Sequence, residues 1–346
     1  LHHQAASCNR LGSPFTARLL NVLADGLKED TAVGNAVLNW PHDPTADALA
    51  LRLAGSLHAL VLTGQSAELI NVYPPAIDAG HDQLQDAVQY ALTAHAEAIL
   101  GFIQSPPQTN EVARSAALAG GFFTIAALTA LPLAILEIGA SAGLNLHWDS
   151  FGYKLGDLAI READGRPWLA PAWEGPEPVT AEVIISERAG CDRAPIDVGS
   201  DDDVLRLRAY VWPDQPDRLT RLDQAIATAR ASPISIERAD AADWVSSRLS
   251  ARQKSVVTVL FHSIVWQYIA ADGQQRLERT IEHAGRAATS DAPFAWLRME
   301  PETSDAAALH LTLWPGGETL HLAEVDYHGR WVRWRIEPDI FSKPTT

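Results

Sequence analysis

Cysteine is nearly absent: Cys8 and Cys191 are the only two in 346 residues. That excludes a disulfide framework and a cysteine-based zinc cluster, and it suits a reducing cytoplasm. Basic residues are scarce as well. Lys and Arg number 27 against 43 Asp and Glu, for a formal net charge of −16, and nowhere do they form a block. Nucleic acids and anionic membranes are held by such cations, so neither is expected as a partner and a small-molecule substrate is. Charge is missing altogether from Ala116 to Leu136, a stretch long enough to cross a bilayer. Gly120-Gly121 and Pro132 interrupt it and Glu137 follows, so it reads as a buried helix, a turn and a buried strand. No strand pattern is legible before Leu133, and no internal repeat is present. The opening Leu1-His2-His3 suggests a tag remnant, which would leave residues before Asn9 outside the fold.

What is there suits a soluble globular protein of one large or two smaller domains, 47% hydrophobic and 20% charged. The first third is helical. Ser13-Pro14 is a cap with proline at the first helical position, leading into Leu19, Leu20 and Leu23. Further stripes run through Leu49, Leu53 and Leu57, and through Leu84, Val88 and Leu92. After Leu133 strands and helices alternate, and the chain closes on the alternating "LHLTLWP" and "TLHLAEVDYHGRWVRWRI". This predicts an α/β fold, a mostly parallel doubly wound sheet with an antiparallel end. The domains would be an all-helical one over 1–107 and the sheet over 108–346, with an insertion or lid at about 150–180.

The stretch "LAILEIGASAGLNLHW" poses the functional question. As Gly-x-Ser-x-Gly it would present Ser141 as a nucleophile, with Asp240 and His310 or His321 completing a triad in the required order. Such an elbow follows several strands, whereas the region upstream is helical. As a cofactor cradle, Gly139 permits the turn and Gly143 lets the next helix start close to the strand. A tight turn without a ligand is the third possibility. Glu137, Asp192, Asp240 and His262 each fall where a strand should end, which lines acids along one rim of the sheet. Each also has a local explanation: Asp240 as a helix cap, Asp192 paired with Arg188 or Arg193. Asp201–Asp203 cannot all face one ion from a helix, so they read as a helix start and no metal is expected.

The acid and glycines after the first strand, an acid near the second and "ERADA" after the third resemble class I S-adenosylmethionine-dependent methyltransferases. The blocks "QTNEVARSAAL", "LEIGASAGLNL", "RAGCDRAPIDV", "YVWPDQPDRLTRL", "FHSIVWQY", "AWLRMEP" and "LTLWPGG" resemble a bacterial family known as domain of unknown function 2332, grouped with methyltransferase-like folds. The resemblance implies a Rossmann-like sheet with an antiparallel last strand, S-adenosylmethionine as cofactor, and transfer to a small molecule. It implies that Glu137, Gly139, Ser141 and Gly143 form the cofactor loop, Asp192 meets the ribose, and Asp240 with Ala241 meets the adenine. Ser141 departs from the usual middle glycine. His262 is the candidate base, with Trp266 and Tyr268 as an aromatic wall. Asn110, Glu111 and Arg114 would close the pocket or meet the substrate; the alternative is a surface pair on a helix end. A sulfonium-using enzyme that displaces another carbon, and a non-catalytic binder, remain open.

Overall fold

Residues 1–75, 80–162, 164–303 and 305–337 are described in a computed structural model. They cluster into two units, the first made of Leu1–Thr109 with Gly199–Thr220 and the second of Asn110–Val198 with the chain from Arg221 onward.

The first unit is helical throughout, with no strand among its described residues. Ser13 caps helix Pro14–Gly26, its hydroxyl accepting the Thr16 N–H, as the Ser-Pro signal predicts. Leu19, Leu20 and Leu23 meet Leu53 and Leu57 of helix Leu49–Leu62, and Leu84 and Val88 of helix His81–Ala94, in one core. Two expectations change. Helix His2–Arg10 buries Ala5 and Cys8 in that core, so the residues before Asn9 belong to the fold. Gly199–Thr220 returns to the helical unit, so one cut after residue 107 does not divide the chain. Its helix Asp201–Ala209 opens on Ser200, which accepts the Asp203 N–H.

The second unit carries twelve strands among its described residues: β1 (Leu133–Ile138), β2 (Gly152–Leu155), β3 (Leu158–Ile160), β4 (Trp168–Leu169), β5 (Ala172–Glu174), β6 (Ile185–Asp192), β7 (Ile236–Arg238), β8 (Val257–Ser263), β9 (Phe294–Pro301), β10 (Ala307–Trp314), β11 (Glu318–Val325) and β12 (Trp331–Trp334). Nine form one sheet in the order β5-β12-β11-β10-β9-β8-β1-β6-β7. From β7 to β9 every pairing is parallel; α-helices make the crossovers from β6 to β7, β7 to β8 and β8 to β9, and the segment carrying β2–β5 makes that from β1 to β6. From β9 to β12 every pairing is antiparallel, because short turns join those strands. The fold is therefore α/β with a large mostly parallel sheet, but it ends in a four-stranded meander and not in a single reversed strand.

One face of this sheet packs Leu136, Ile138, Leu260 and Phe294 against Val245, Leu277 and Ile281 of helices Ala241–Leu249 and Ala271–Arg286. The other takes helix Ser115–Thr129, which lies so close that a Cβ on Gly121 would stand 2.6 Å from Leu297 Cδ1. Val112–Thr129 is apolar enough to span a membrane by composition, yet 78% of it is buried inside the protein. The segment expected as a lid forms the small sheet β3-β2-β4, and its last strand, β5, extends the large sheet. That strand lies six spacings, about 29 Å, from β1.

Candidate functional site

The chain runs outward from β1 through β6 to β7, then returns to place β8 on the other side of β1. Open α/β sheets bind ligands beyond the carboxyl ends of the strands at such a reversal. Two loops meet there, Gly139–Gly143 after β1 and Ile264–Val265 after β8. Each holds a non-glycine residue in the left-handed region, Ser141 at φ 53° and Ile264 at φ 54°. Backbone of this kind costs about 1–3 kcal/mol and persists only where its surroundings over-determine it.

The surroundings do so. Ile264 N–H donates to Met299 O at 2.9 Å, and the Val265 and Trp266 N–H groups donate to the two Glu300 oxygens at 3.1 and 3.3 Å. Arg114 holds Ser263 O at 3.2 Å and Tyr327 O at 3.0 Å. On the other loop, Ser141 N–H donates to Asp192 Oδ2 at 2.9 Å while its carbonyl accepts from Ile196 N–H. Val265 then covers Gly139, whose φ is 66°: an added Cβ would lie 2.2 Å from Val265 Cγ2.

Under these loops lies a buried polar cluster of Glu111, Ser115, Glu137, Ser141 and Asn145, and buried polar groups carry more information than exposed apolar ones. Ser115 donates to Asn145 Oδ1 at 2.7 Å, and Asn145 bonds in turn to Glu137. Glu137 Oε2 and Ser141 Oγ have no hydrogen-bond partner among the described residues. Burial, with the Asp192 carboxylate nearby, pushes the Glu137 carboxyl well above the ordinary range; Arg114 and the Asn145 bond pull the other way. A raised pKa stabilises the fold at low pH, and that stability is lost as pH rises through the folded value. Glu137→Gln removes the titration. Its melting temperature relative to wild type should climb by at least about 2 °C between pH 5 and pH 9. Calorimetric melts check this, and a pH-independent offset would show that Glu137 titrates normally.

The structure brings the cofactor-loop residues Glu137, Gly139, Ser141 and Gly143 together with Asp192, Asn110, Glu111 and Arg114. Asn110 Oδ1 accepts Leu144 N–H at 2.9 Å, and Glu111 caps the turn Val112–Arg114 through Ala113 N–H. These are wall-building contacts, and Glu111 is buried, so the surface-pair reading does not hold. Asp192 bonds the Ser141 and Ala194 N–H groups, while Arg188 pairs instead with Asp149 at 2.7 Å. Asp240 is an exposed N-cap that accepts the Ala242 and Asp243 N–H groups of the helix beginning at Ala241. Tyr268 is 71% exposed and builds no wall.

His262 differs most from expectation. It is fully buried, with Nδ1 2.6 Å from Glu300 Oε1 and Nε2 3.0 Å from Trp296 Nε1. An indole N–H can only donate, so Nε2 accepts and Nδ1 carries the proton. Neither ring nitrogen is left to act as a base on a substrate. With Trp266 stacked on its ring at 5.3 Å, His262 braces the β8 loop. The functional residue that the sequence does not single out is Glu300, in "RMEP" at the end of β9. The alternation of Trp296, Arg298 and Glu300 along β9 was the available signal.

Four N–H groups of the turn are already committed. The N–H groups of Ala140, Ser141, Gly143 and Leu144 are donated to Cys191 O, Asp192, Ala140 O and Asn110 respectively. Nor does the turn meet the needs of a serine nucleophile, since Ser141 Oγ has no hydrogen-bond partner among the described residues to take its proton. What it presents is a surplus of acceptors.

A family model described as an uncharacterized protein conserved in bacteria (DUF2332) matches residues 1–334. No curated protein and no solved structure matches the chain.

Proposed function

The chain belongs to that bacterial family, and we propose that it binds S-adenosylmethionine beyond the carboxyl ends of β1, β6 and β8 and catalyses transfer of its methyl group to a small molecule, with S-adenosylhomocysteine as the leaving product, in a Rossmann-like methyltransferase domain. The observation that carries this is the loop pair at the reversal of strand order, strained at Ser141 and Ile264 and lined by acceptors. A dinucleotide needs free N–H groups for its pyrophosphate, and here those of Ala140, Ser141, Gly143 and Leu144 are taken. A sulfonium with an ammonium group and ribose hydroxyls needs acceptors. Glu137 Oε2 and Ser141 Oγ, which have no hydrogen-bond partner among the described residues, supply them beside the Asp192 carboxylate.

The cofactor supplies an electrophilic methyl carbon. The protein's part is to hold it in line with a nucleophile, and its own residues orient the ligand more than they move protons. Cys8 and Cys191, both free and buried, support a reducing cytoplasmic setting.

Asp192→Ala should weaken S-adenosylmethionine binding about tenfold or more, because it loses a ligand acceptor and the anchor of Ser141. Asp240→Ala should cost stability, about 1 kcal/mol for a lost cap, with little effect on binding. Incubation with methyl-labelled S-adenosylmethionine and a panel of small amines, thiols and carboxylates tests the transfer itself. Label in a product together with S-adenosylhomocysteine is expected. Release of methylthioadenosine would move the reaction to another carbon, and turnover of neither kind would leave no transferase.

A further inference from the structure

The antiparallel half of the sheet carries a second group of polar residues that the loops at β1 and β8 do not use. Cross-strand register aligns His262 of β8 with Arg298 of β9, Arg298 with His310 of β10, and His310 with His321 of β11. Residues in register share a face, so these four form one row across it. His310 and His321 lie two and three strand spacings from His262, about 10 and 14 Å.

We propose that His310, His321 and Glu302 bind a divalent transition-metal ion with at least one coordination position left for water or substrate. One ligand atom from each lies within 4.8 Å of the others, and the two imidazole centroids are 4.6 Å apart. Donors on a tetrahedral ion with bonds of about 2.0–2.2 Å stand about 3.3–3.6 Å apart. Closing the difference needs only side-chain rotation, and Glu302 is exposed on the β9–β10 turn and free of core packing.

Two further features point to a ligand set and not to a chance meeting of side chains. First, β11 bulges at the site: the register passes from Leu309–Ala323 to His310–His321, leaving Leu322 as the extra residue. Bulges re-aim side chains and gather beside functional sites. Arg335 N–H takes the Leu322 carbonyl and so fixes the distortion. Second, His321 Nε2 donates to Ala323 O at 3.2 Å, which leaves the Nδ1 lone pair as the ligand, the arrangement by which metal-binding histidines are oriented. The neighbouring cations are engaged elsewhere. Arg298 donates to Thr312 Oγ1 at 3.1 Å and lies over Trp296, and Arg335 pairs with Glu324. Two imidazoles and one carboxylate favour Zn2+, Fe2+, Co2+ or Ni2+ over Mg2+ or Ca2+. Three protein ligands leave a position open, as in catalytic sites, where structural zinc sites are closed by four.

The test uses the intact protein, stripped with chelator and titrated with Zn2+ and with Co2+ alone. One ion per chain should bind, and His310→Ala/His321→Ala should weaken it by at least about a hundredfold. His2→Ala/His3→Ala should leave the affinity unchanged, which separates this site from the histidines at the other end of the chain. X-ray absorption of the Co2+-loaded wild type needs no variant to fold, and it should show two imidazoles among nitrogen and oxygen neighbours. No retained ion, an affinity indifferent to the His310/His321 change, or a shell without imidazole would overturn the site.

Discussion

Glu300→Ala should lower the melting temperature of the β-sheet unit by roughly 10 °C, and Glu300→Gln by less than half as much. The Glu300 carboxylate accepts from His262 Nδ1 and from the Val265 and Trp266 N–H groups. It is the acceptor that makes the left-handed Ile264 tolerable. Hydrogen bonds to a charged group contribute about 1.5–3 kcal/mol each, and three interdependent ones about 4 kcal/mol together. At about 2–4 °C for each kcal/mol, the loss is of that order. Glutamine keeps the shape and one acceptor oxygen. Alanine leaves His262 and two backbone donors unpaired in a dry setting, which costs more than the bonds contributed. The freed 264–266 loop would also lift Val265 from Gly139, so ligand binding at the β1 loop should fall with stability. Differential scanning calorimetry of both variants measures this; an alanine variant melting within about 2 °C of wild type would show that Glu300 does not hold the loop.

Gly139→Ala should destabilise the same unit by about 3 kcal/mol, and Val265→Ala should rescue a large part of it. Two costs combine at Gly139. A side chain at φ 66° costs about 1–2 kcal/mol. The new Cβ also falls 2.2 Å from Val265 Cγ2 and 2.9 Å from its Cβ, and such overpacking costs about 1–3 kcal/mol. Removing the valine methyls relieves the closest contact and leaves the backbone cost and the 2.9 Å approach to the residue-265 Cβ. Urea unfolding of the two single variants and the double variant measures the coupling directly. Strict additivity would mean that the two loops are not locked by this contact. Glycine at 139 is thus demanded by packing between two strand-end loops, whatever ligand lies above them.

The elements with a strong local period were legible. The alternation in "FAWLRME" and "LHLTLW", the Ser13-Pro14 cap and the glycine turn after Leu133 all correspond to observed structure. The rim of acids was legible in position but not in role. Asp240 stands where a strand ends, and it is also an acid opening a helix; the cap is what it forms. Glu137 acquires its character from burial and from the nearby Asp192, which the pairing of β6 on β1 brings beside it. Glu300 was invisible for a similar reason. Its partners lie 34–38 residues away, and β8–β9 pairing alone brings them together. His310 and His321 are separated by a turn and aligned by a bulge that the alternating pattern does not announce. The return of Gly199–Thr220 to the helical unit is a long-range association of the same kind.

Calorimetric titration of the intact protein with S-adenosylmethionine and S-adenosylhomocysteine bears most directly on the proposed site. One ligand per chain should bind, with an affinity tighter than about 1 mM. Binding should weaken about tenfold or more in Asp192→Ala, fall in Gly139→Ala and be retained in Asp240→Ala. No heat with either ligand up to about 1 mM, or binding that Asp192→Ala leaves untouched, would contradict it.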